Sequence, residues 1–175
     1  MVTLNNIIIS LVNQVQAIMM NSVLILENKE IGCGQVPVPK PEGDEVLIAI
    51  HSCPINPSDT YFMRGMWGIP LKYPFTPGWE AAGDVIEAGE DENAQKLIGQ
   101  RVACLIVDNK AMPWTKGGCM AEYALSNVKK VVPLEDDVSY EVGCCSIVNP
   151  MTALGMVERL KELKCKSVII TAAAS

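Results

Sequence analysis

The stretch that most constrains the fold is residues 53–90, where three turn-forming motifs follow one another within a short span. An Asn-Pro-Ser-Asp motif begins at Asn56, a Gly-Met-Trp-Gly motif ends at Gly68, and a Pro-Gly-Trp-Glu motif ends at Glu80. Gly and Pro interrupt regular structure, and each favours a particular type of turn. The span therefore cannot form one long helix or strand, and short elements joined by tight turns are expected.

A short helix followed by a strand is the local structure that this stretch predicts. Asn56 is a favourable N-cap, Pro57 suits the first helical position, and Asp59 can reach back to the cap as in a capping box. These residues predict a helix of one or two turns over Pro57–Met63. After the glycine-bracketed loop, an apolar run predicts a strand over Ala81–Ala88, with a bulge or a close backbone approach at its glycine.

Short strands separated by Gly and Pro recur on both sides of this stretch. A proline-rich run, Val36–Gly43, excludes a helix or an interior strand and predicts an extended connector. The other predicted strands are Val23–Leu26, Glu45–His51, Gln100–Val107, Cys119–Leu125 and Val128–Leu134. Such a series is typical of a closed or sandwiched antiparallel β-structure.

Helical patterns replace the strands after Ser139. Ser139 is an expected N-cap for a helix over Tyr140–Ile147, which Pro150 breaks or restarts. Met151–Leu163 repeats apolar residues at helical spacing and predicts an amphipathic helix. The apolar run Ser167–Thr171 is typical of a strand that is buried on both faces of a parallel sheet.

Composition and charge narrow the possible partners and compartments. The net charge of -6, without a basic stripe, argues against nucleic-acid binding. No apolar run reaches the ~20 residues that span a bilayer. The seven cysteines form no CxxC pair, which indicates free thiols in a reducing intracellular compartment, cytoplasmic or mitochondrial. A redox or metal role for the cysteines is the less favoured alternative.

Residues 1–21 are expected to be an N-terminal extension, because 1–18 carry no charge and match neither a secretory signal nor an organellar presequence.

Three motifs together resemble the medium-chain dehydrogenase/reductase superfamily, specifically its zinc-free quinone oxidoreductase and 2-enoyl thioester reductase branch. They are Pro54–Asp59, Pro77–Glu80 and Asn149–Ala153. The resemblance implies a mainly β fold with α-helices, in which a chaperonin-10 (GroES)-like barrel occupies residues 22–138. Connecting helices and the first strand of a truncated Rossmann domain are then expected over residues 139–175.

The resemblance also implies a set of site residues. Asn56 and Thr152 would line the nicotinamide end of the cofactor cleft, with Asn149 beside them, although Asn56 could equally be only a helix cap. Enoyl reductases place a general-acid Tyr where this chain has Trp67. An indole N–H donates a hydrogen bond but does not transfer a proton. The catalytic residue is therefore undetermined, and this departure weakens enoyl reductase chemistry more than quinone reduction.

Zinc chemistry is not expected. Zinc-dependent alcohol dehydrogenases carry Cys at the position of Asn56 and His at that of Trp79, and they add a four-cysteine lobe. The single histidine, His51, cannot build a zinc site with scattered thiols. Without zinc, Glu80 is interpreted as a carboxylate at the edge of a strand.

Two hypotheses on function follow. In the first, the chain is the N-terminal portion of an NAD(P)H-dependent oxidoreductase that reduces a quinone, an enone or a 2-enoyl thioester. It would use NADP or NAD in the full-length family and bind none alone, because no GxGxxG turn occurs in the sequence. In the second, it is a non-catalytic accessory subunit of a larger, possibly mitochondrial, complex. A missing segment, a partner subunit or the chain's own barrel should cover Val168–Ile170, and a protein partner or a dimer is the cover expected here.

Overall fold

The computed structural model describes residues 17–68, 72–106 and 117–171, which form an antiparallel β-structure followed by helices. The described strands are β1 (Met19–Ile25), β2 (Ile31–Pro37), β3 (Glu45–Ser52), β4 (Glu80–Ala88), β5 (Arg101–Leu105), β6 (Tyr123–Asn127) and β7 (Val131–Pro133). The described helices are α1 (Pro57–Met63), α2 (Glu92–Gln95), α3 (Tyr140–Gly143) and α4 (Val148–Glu162), and a 3₁₀ turn (Val128–Lys130) precedes β7.

Two sheets make up the β-structure. Five strands form an antiparallel sheet in the order β6-β3-β4-β5-β7, and β1 and β2 form a separate hairpin. Isolated bridges join the hairpin to the loops of the larger sheet, between Ser22 and Ala121 and between Ile25 and Phe75. These bridges bring the hairpin against the open side of the sheet, which is the barrel arrangement expected from the sequence.

The hairpin contains the main element that the sequence did not predict. The turn between its two strands contains Lys29 at φ 65°. However, β2 covers residues that carried no strand prediction, because Gly32 and Gly34 weaken the β-signal there. Pro37 is the last residue of this strand and lies opposite Met19. Proline has no N–H to donate, and at the end of a strand this costs no hydrogen bond within the sheet.

Gly83 explains how β3 and β4 pack so closely. The β3–β4 register shifts twice, once near Leu47 and once near Ser52. A Cβ on Gly83 would overlap the backbone carbonyl oxygen of Ala49. Only glycine fits at this position, as the sequence predicted from an isolated glycine within a strand.

The core lies between the five-stranded sheet and α1. Its buried members include Val46, Ile48, Val85 and Val102 from the strands. Phe62 on α1 is 1% exposed, and its ring meets those of Phe75 and Trp79 edge-on at centroid distances of 5.7 and 5.6 Å. Burial of a side chain of this size contributes about 1.5–3 kcal/mol. The short helix is therefore held to the barrel mainly through this ring.

Several predicted boundaries are wrong by a few residues. The strand predicted from Cys119 begins only at Tyr123, and the one predicted from Val128 is a 3₁₀ turn followed by β7. Ser139 caps a helix as expected, but α3 ends at Gly143 instead of Ile147. Of the two predicted roles of Pro150, the restart is the one observed: it lies in the first turn of α4, where backbone N–H groups have no partner within the helix.

The strand predicted over Ser167–Thr171 is not formed, and this prediction is corrected here. These residues carry no strand assignment, and Ile169 is 91% exposed. A β-strand is defined by pairing with a neighbouring strand, and none of the described strands pairs with this segment. The apolar pattern correctly indicates residues suited to burial, but none of the described strands covers them.

Some predictions fall outside the described residues, including most of the expected N-terminal extension. No helix within the described ranges is long and apolar enough to cross a membrane. The described residues likewise contain no group of three or more His, Cys, Asp or Glu side chains suited to a metal ion.

Candidate functional site

The site is built at the junction between β3 and α1. Asn56 caps α1, and Asp59 closes the predicted capping box by accepting a hydrogen bond from the backbone N–H of Asn56 at 2.7 Å. Both residues are buried. This arrangement fixes the direction in which α1 leaves the barrel, and it holds the Asn56 side chain beneath the surface.

A hydrogen-bonded network joins this cap to β4 and to α4. The side-chain Nδ2 of Asn56 donates to Glu80 Oε1 at 3.1 Å, and its Oδ1 accepts from Asn149 Nδ2 at 2.8 Å. Both polar groups of the Asn56 side chain are thus engaged by protein partners. The structure therefore brings together Asn56 and Asn149, two of the residues implied by the family resemblance.

Glu80 is the centre of the network, and its burial was not predicted from the sequence. Its side chain is 1% exposed, which corrects the interpretation of a strand-edge carboxylate. Besides Asn56, it accepts hydrogen bonds from the backbone N–H groups of Ile147 and Val148 at 3.1 and 2.7 Å. A carboxylate at a helix N-terminus satisfies free N–H groups and complements the helix dipole. Glu80 thereby attaches the start of α4 to the barrel.

A second carboxyl group, that of Asp59, lies against Glu80. Burial raises the pKa of Asp59 above its ordinary value, and the charge of Glu80 adds to this increase. Hydrogen bonds from the backbone of Asn56 and Trp79 act in the opposite direction but do not outweigh burial. Two acids in one buried region are therefore arranged so that ionising Asp59 is unfavourable.

An open cleft of about 500 Å³ lies between α1, β5 and the first turns of α4. Its lining consists of Ser58, Trp67, Trp79, Leu105, Ile147, Val148, Met151 and Thr152. The indole rings of Trp67 and Trp79 are stacked at 5.2 Å with an interplanar angle of 28°. The cleft therefore has an aromatic wall on the barrel side and a helical wall on the other.

The expected site residues occupy two different layers. Trp67 and Thr152 line the cleft, and the Thr152 hydroxyl donates to the Val148 carbonyl at 2.6 Å. Asn56 is 5% exposed and lies beneath this surface. Sequence reasoning missed Ser58, although it belongs to the Asn-Pro-Ser-Asp motif and its place in the first turn of α1 was a usable signal.

Comparison with known proteins identifies the family to which this fold belongs. A family model described as the alcohol dehydrogenase GroES-like domain matches residues 42–136. A quinone oxidoreductase homologue of the spinach chloroplast (Spinacia oleracea) is 31% identical over 148 residues, which is 80% of this chain and 43% of that protein. The quinone oxidoreductase of Rattus norvegicus is 33% identical over 118 residues, 67% of this chain and 33% of that protein.

Solved structures show the same fold. A Mesorhizobium loti protein that has been assigned as an NADPH:quinone reductase superimposes with a TM-score of 0.79 at 30% identity. The match covers 90% of this chain and 48% of that one. The quinone oxidoreductase of Thermus thermophilus, also solved with NADPH, gives a TM-score of 0.64 at 24% identity, and this match covers 81% of this chain and 41% of that one.

The fold and the matched family model define a GroES-like domain of the oxidoreductase type. The chain belongs to the alcohol dehydrogenase GroES-like domain family, within the medium-chain dehydrogenase/reductase superfamily. Its similarity is to the quinone oxidoreductases, and the alternative of an accessory subunit finds no support among these relatives. The chain spans less than half the length of the curated relatives it matches.

Proposed function

We propose that the chain supplies the barrel side of a zinc-free NAD(P)H-dependent reductase site that acts on a quinone. The observation that carries this proposal is the open cleft with the stacked pair Trp67 and Trp79 on one wall and Thr152 on the other. Indole faces provide large apolar contact with flat conjugated rings. A quinone ring and a nicotinamide ring both have this shape.

The cofactor residues divide into contact and positioning roles. Thr152 lines the cleft, and its hydroxyl keeps an acceptor site after donating to Val148. Thr152 therefore fits direct contact with the nicotinamide. Asn56 is buried and accepts a hydrogen bond from the exposed Asn149, so this pair fits the role of positioning the first turn of α4. The reduced nicotinamide, of NADP or NAD, would supply the hydride when bound.

The cleft lining favours a quinone over an enone or a 2-enoyl thioester. None of the described lining residues carries a carboxyl, imidazole, phenol or amine group that could act as a general acid. Reduction of an enone requires a proton at carbon, for which a positioned acid is valuable. Reduction of a quinone leaves an anion on oxygen, and solvent can protonate that oxygen in an open cleft. Trp67 in place of the family's Tyr is compatible with this difference.

We also propose a division into domains, a partner surface and a compartment. We place the barrel-type domain at residues 22–138 and the connecting segment at 139–175. Apolar residues of α4 and Val168–Ile170 are exposed among the described residues, so a protein surface should cover them in the working protein. We also propose that these 175 residues alone bind no NADP or NAD, because no GxGxxG turn occurs among them. Free thiols favour a cytoplasmic or mitochondrial setting.

Tryptophan fluorescence tests the cleft with the chain as it stands. The probe is tetramethyl-1,4-benzoquinone, whose substituted ring resists attack by thiols. Met151→Phe enlarges a side chain in the cleft, whereas Met156→Phe makes the same change elsewhere on α4 and serves as the matched control. We expect saturable quenching in the unchanged chain and in Met156→Phe, with affinity reduced about tenfold in Met151→Phe, which corresponds to a loss of about 1.4 kcal/mol. Equal, non-saturable quenching in all three proteins would contradict the proposal.

A further inference from the structure

Two cysteines that the proposed chemistry does not use lie in contact beside the site. Cys53 precedes α1 by four residues, and Cys119 follows the Gly117-Gly118 pair before β6. Their Sγ atoms are 3.3 Å apart although the residues are far apart in sequence. Cys119 is buried, and its thiol donates to the backbone carbonyl of Glu80 at 2.9 Å, whereas Cys53 is part-exposed. Cys53 is therefore the more accessible of the two residues, and the buried sulfur of Cys119 is in contact with its sulfur.

We propose that Cys53 and Cys119 form a reversible disulfide when the protein meets a hydroperoxide, and that this bond acts on the segment carrying Asn56. In the first step the Cys53 sulfur attacks the peroxide, the O–O bond breaks, and Cys53 becomes a sulfenic acid while the peroxide is reduced to water or an alcohol. In the second step the Cys119 sulfur displaces that hydroxyl as water and the S–S bond forms. One peroxide thus takes up the two electrons and two protons released by the two thiols.

The order of these steps follows from exposure. Oxidation favours accessible thiols, which selects Cys53 over its buried neighbour. Burial raises the pKa of Cys119 well above its ordinary value, so this sulfur remains a thiol at neutral pH. Contact between the two sulfurs compensates by holding the reacting atoms together. The second step is therefore expected to limit the rate.

Closing the disulfide requires the two sulfurs to move together, and we expect the segment before α1 to take up this movement. An S–S bond is about 2.05 Å long, so the Sγ atoms must approach by roughly 1.3 Å. Cys119 has little room to move, because it is 0% exposed and packed within the core cluster. The shift therefore falls on Cys53 and the cap at Asn56. The hydrogen bond from Cys119 to the Glu80 carbonyl is also lost, since a disulfide sulfur carries no proton.

Peptide mapping tests the proposed pairing. The reduced chain is treated with hydrogen peroxide, remaining thiols are blocked with N-ethylmaleimide, and proteolytic fragments are identified by mass. We expect a fragment that links Cys53 to Cys119 and disappears on treatment with dithiothreitol. Cys33→Ser serves as the control, because Cys33 is an exposed cysteine on the hairpin and its removal should leave the linkage unchanged. Pairing of Cys53 with Cys144 or Cys145, or no linkage of Cys53, would overturn the proposal.

A second variant keeps the proposal testable through its intermediate. Cys119→Ser retains a hydroxyl that can still donate to the Glu80 carbonyl, so the fold should be kept. Without the second sulfur, the Cys53 sulfenic acid should persist and react with dimedone at least tenfold more than in the unchanged chain. Equal dimedone labelling in the two proteins would show that Cys119 does not resolve the oxidised Cys53. Neither measurement depends on the proposed quinone chemistry.

Discussion

The barrel and helix α4 both carry apolar residues in regular patterns, yet the structure treats them differently. In β4, Ala81 and Val85 are buried by neighbouring strands and by α1. In α4, Leu154, Met156 and Val157 are 51%, 63% and 47% exposed. Hydrogen bonds that Glu80 and Asn56 accept from Val148 and Asn149 hold only the first turn of this helix. The spacing of apolar residues therefore predicts which face of an element is suited to burial. Whether that face is buried depends on a neighbouring protein surface that packs against it.

The largest expected difference between the two regions concerns core volume. Phe62→Ala should destabilise the chain by about 3–5 kcal/mol, because it empties the centre of the ring cluster with Phe75 and Trp79. Leu154→Ala removes an apolar side chain from α4 and should cost no more than about 0.5 kcal/mol. Urea unfolding followed by tryptophan fluorescence and far-ultraviolet circular dichroism measures both. A similar loss in the two variants would show that the apolar side chain of Leu154 contributes as much to stability as the buried ring of Phe62.

The next effect concerns the junction between the two regions. Glu80→Ala should cost about 1.5–3 kcal/mol, because it leaves the Asn56 amide and two backbone N–H groups of α4 without their acceptor. Glu87→Ala removes an exposed carboxylate from the same strand and is the matched control, with an expected change within about 0.5 kcal/mol. Urea midpoints compare the two variants. Indistinguishable midpoints would show that Glu80 does not hold α4 to the barrel.

A smaller loss is expected where the connecting segment meets the barrel. The Tyr140 hydroxyl donates to Asp84 Oδ1 at 2.6 Å, and the ring of Tyr140 stacks on His51 at 4.2 Å. Tyr140→Phe keeps the stacking and removes only the hydrogen bond, so about 1 kcal/mol should be lost. Tyr61→Phe, at an exposed position on α1, is the control and should be neutral. Thermal unfolding of both variants measures the difference, which should vanish if the contact contributes nothing.

The smallest effect is a change in pH dependence that comes from Asp59. Because burial raises its pKa in the folded state, the native protein binds the proton more tightly than the unfolded chain does. The contribution of Asp59 to stability is therefore complete below the unfolded value near 3.8 and is lost as pH rises through the higher folded pKa. The free energy of unfolding of the unchanged chain, minus that of Asp59→Asn, should fall over this window. A rise would contradict the assignment.

Most of the barrel and part of the site could be predicted from sequence. Asn, Pro and Gly have strong local conformational preferences, and these preferences correctly predicted α1, the cap at Asn56 and the close contact at Gly83. Pairing partners were harder to predict, because β2 has weak strand propensity and forms only through β1. The burial of Glu80 was missed for a similar reason. Its partners on α4 follow it by more than sixty residues, and no local pattern encodes such contacts.

Hydrogen exchange followed by mass spectrometry tests the contrast between barrel and helix most directly. Amides of β3 and β4 should exchange only through global unfolding, because they are paired on both sides within a buried sheet. Amides in the second half of α4 should exchange at least tenfold faster, since their hydrogen bonds are not shielded by packed side chains. Peptides from β3, β4 and α4 that exchange at the same slow rate would contradict the account.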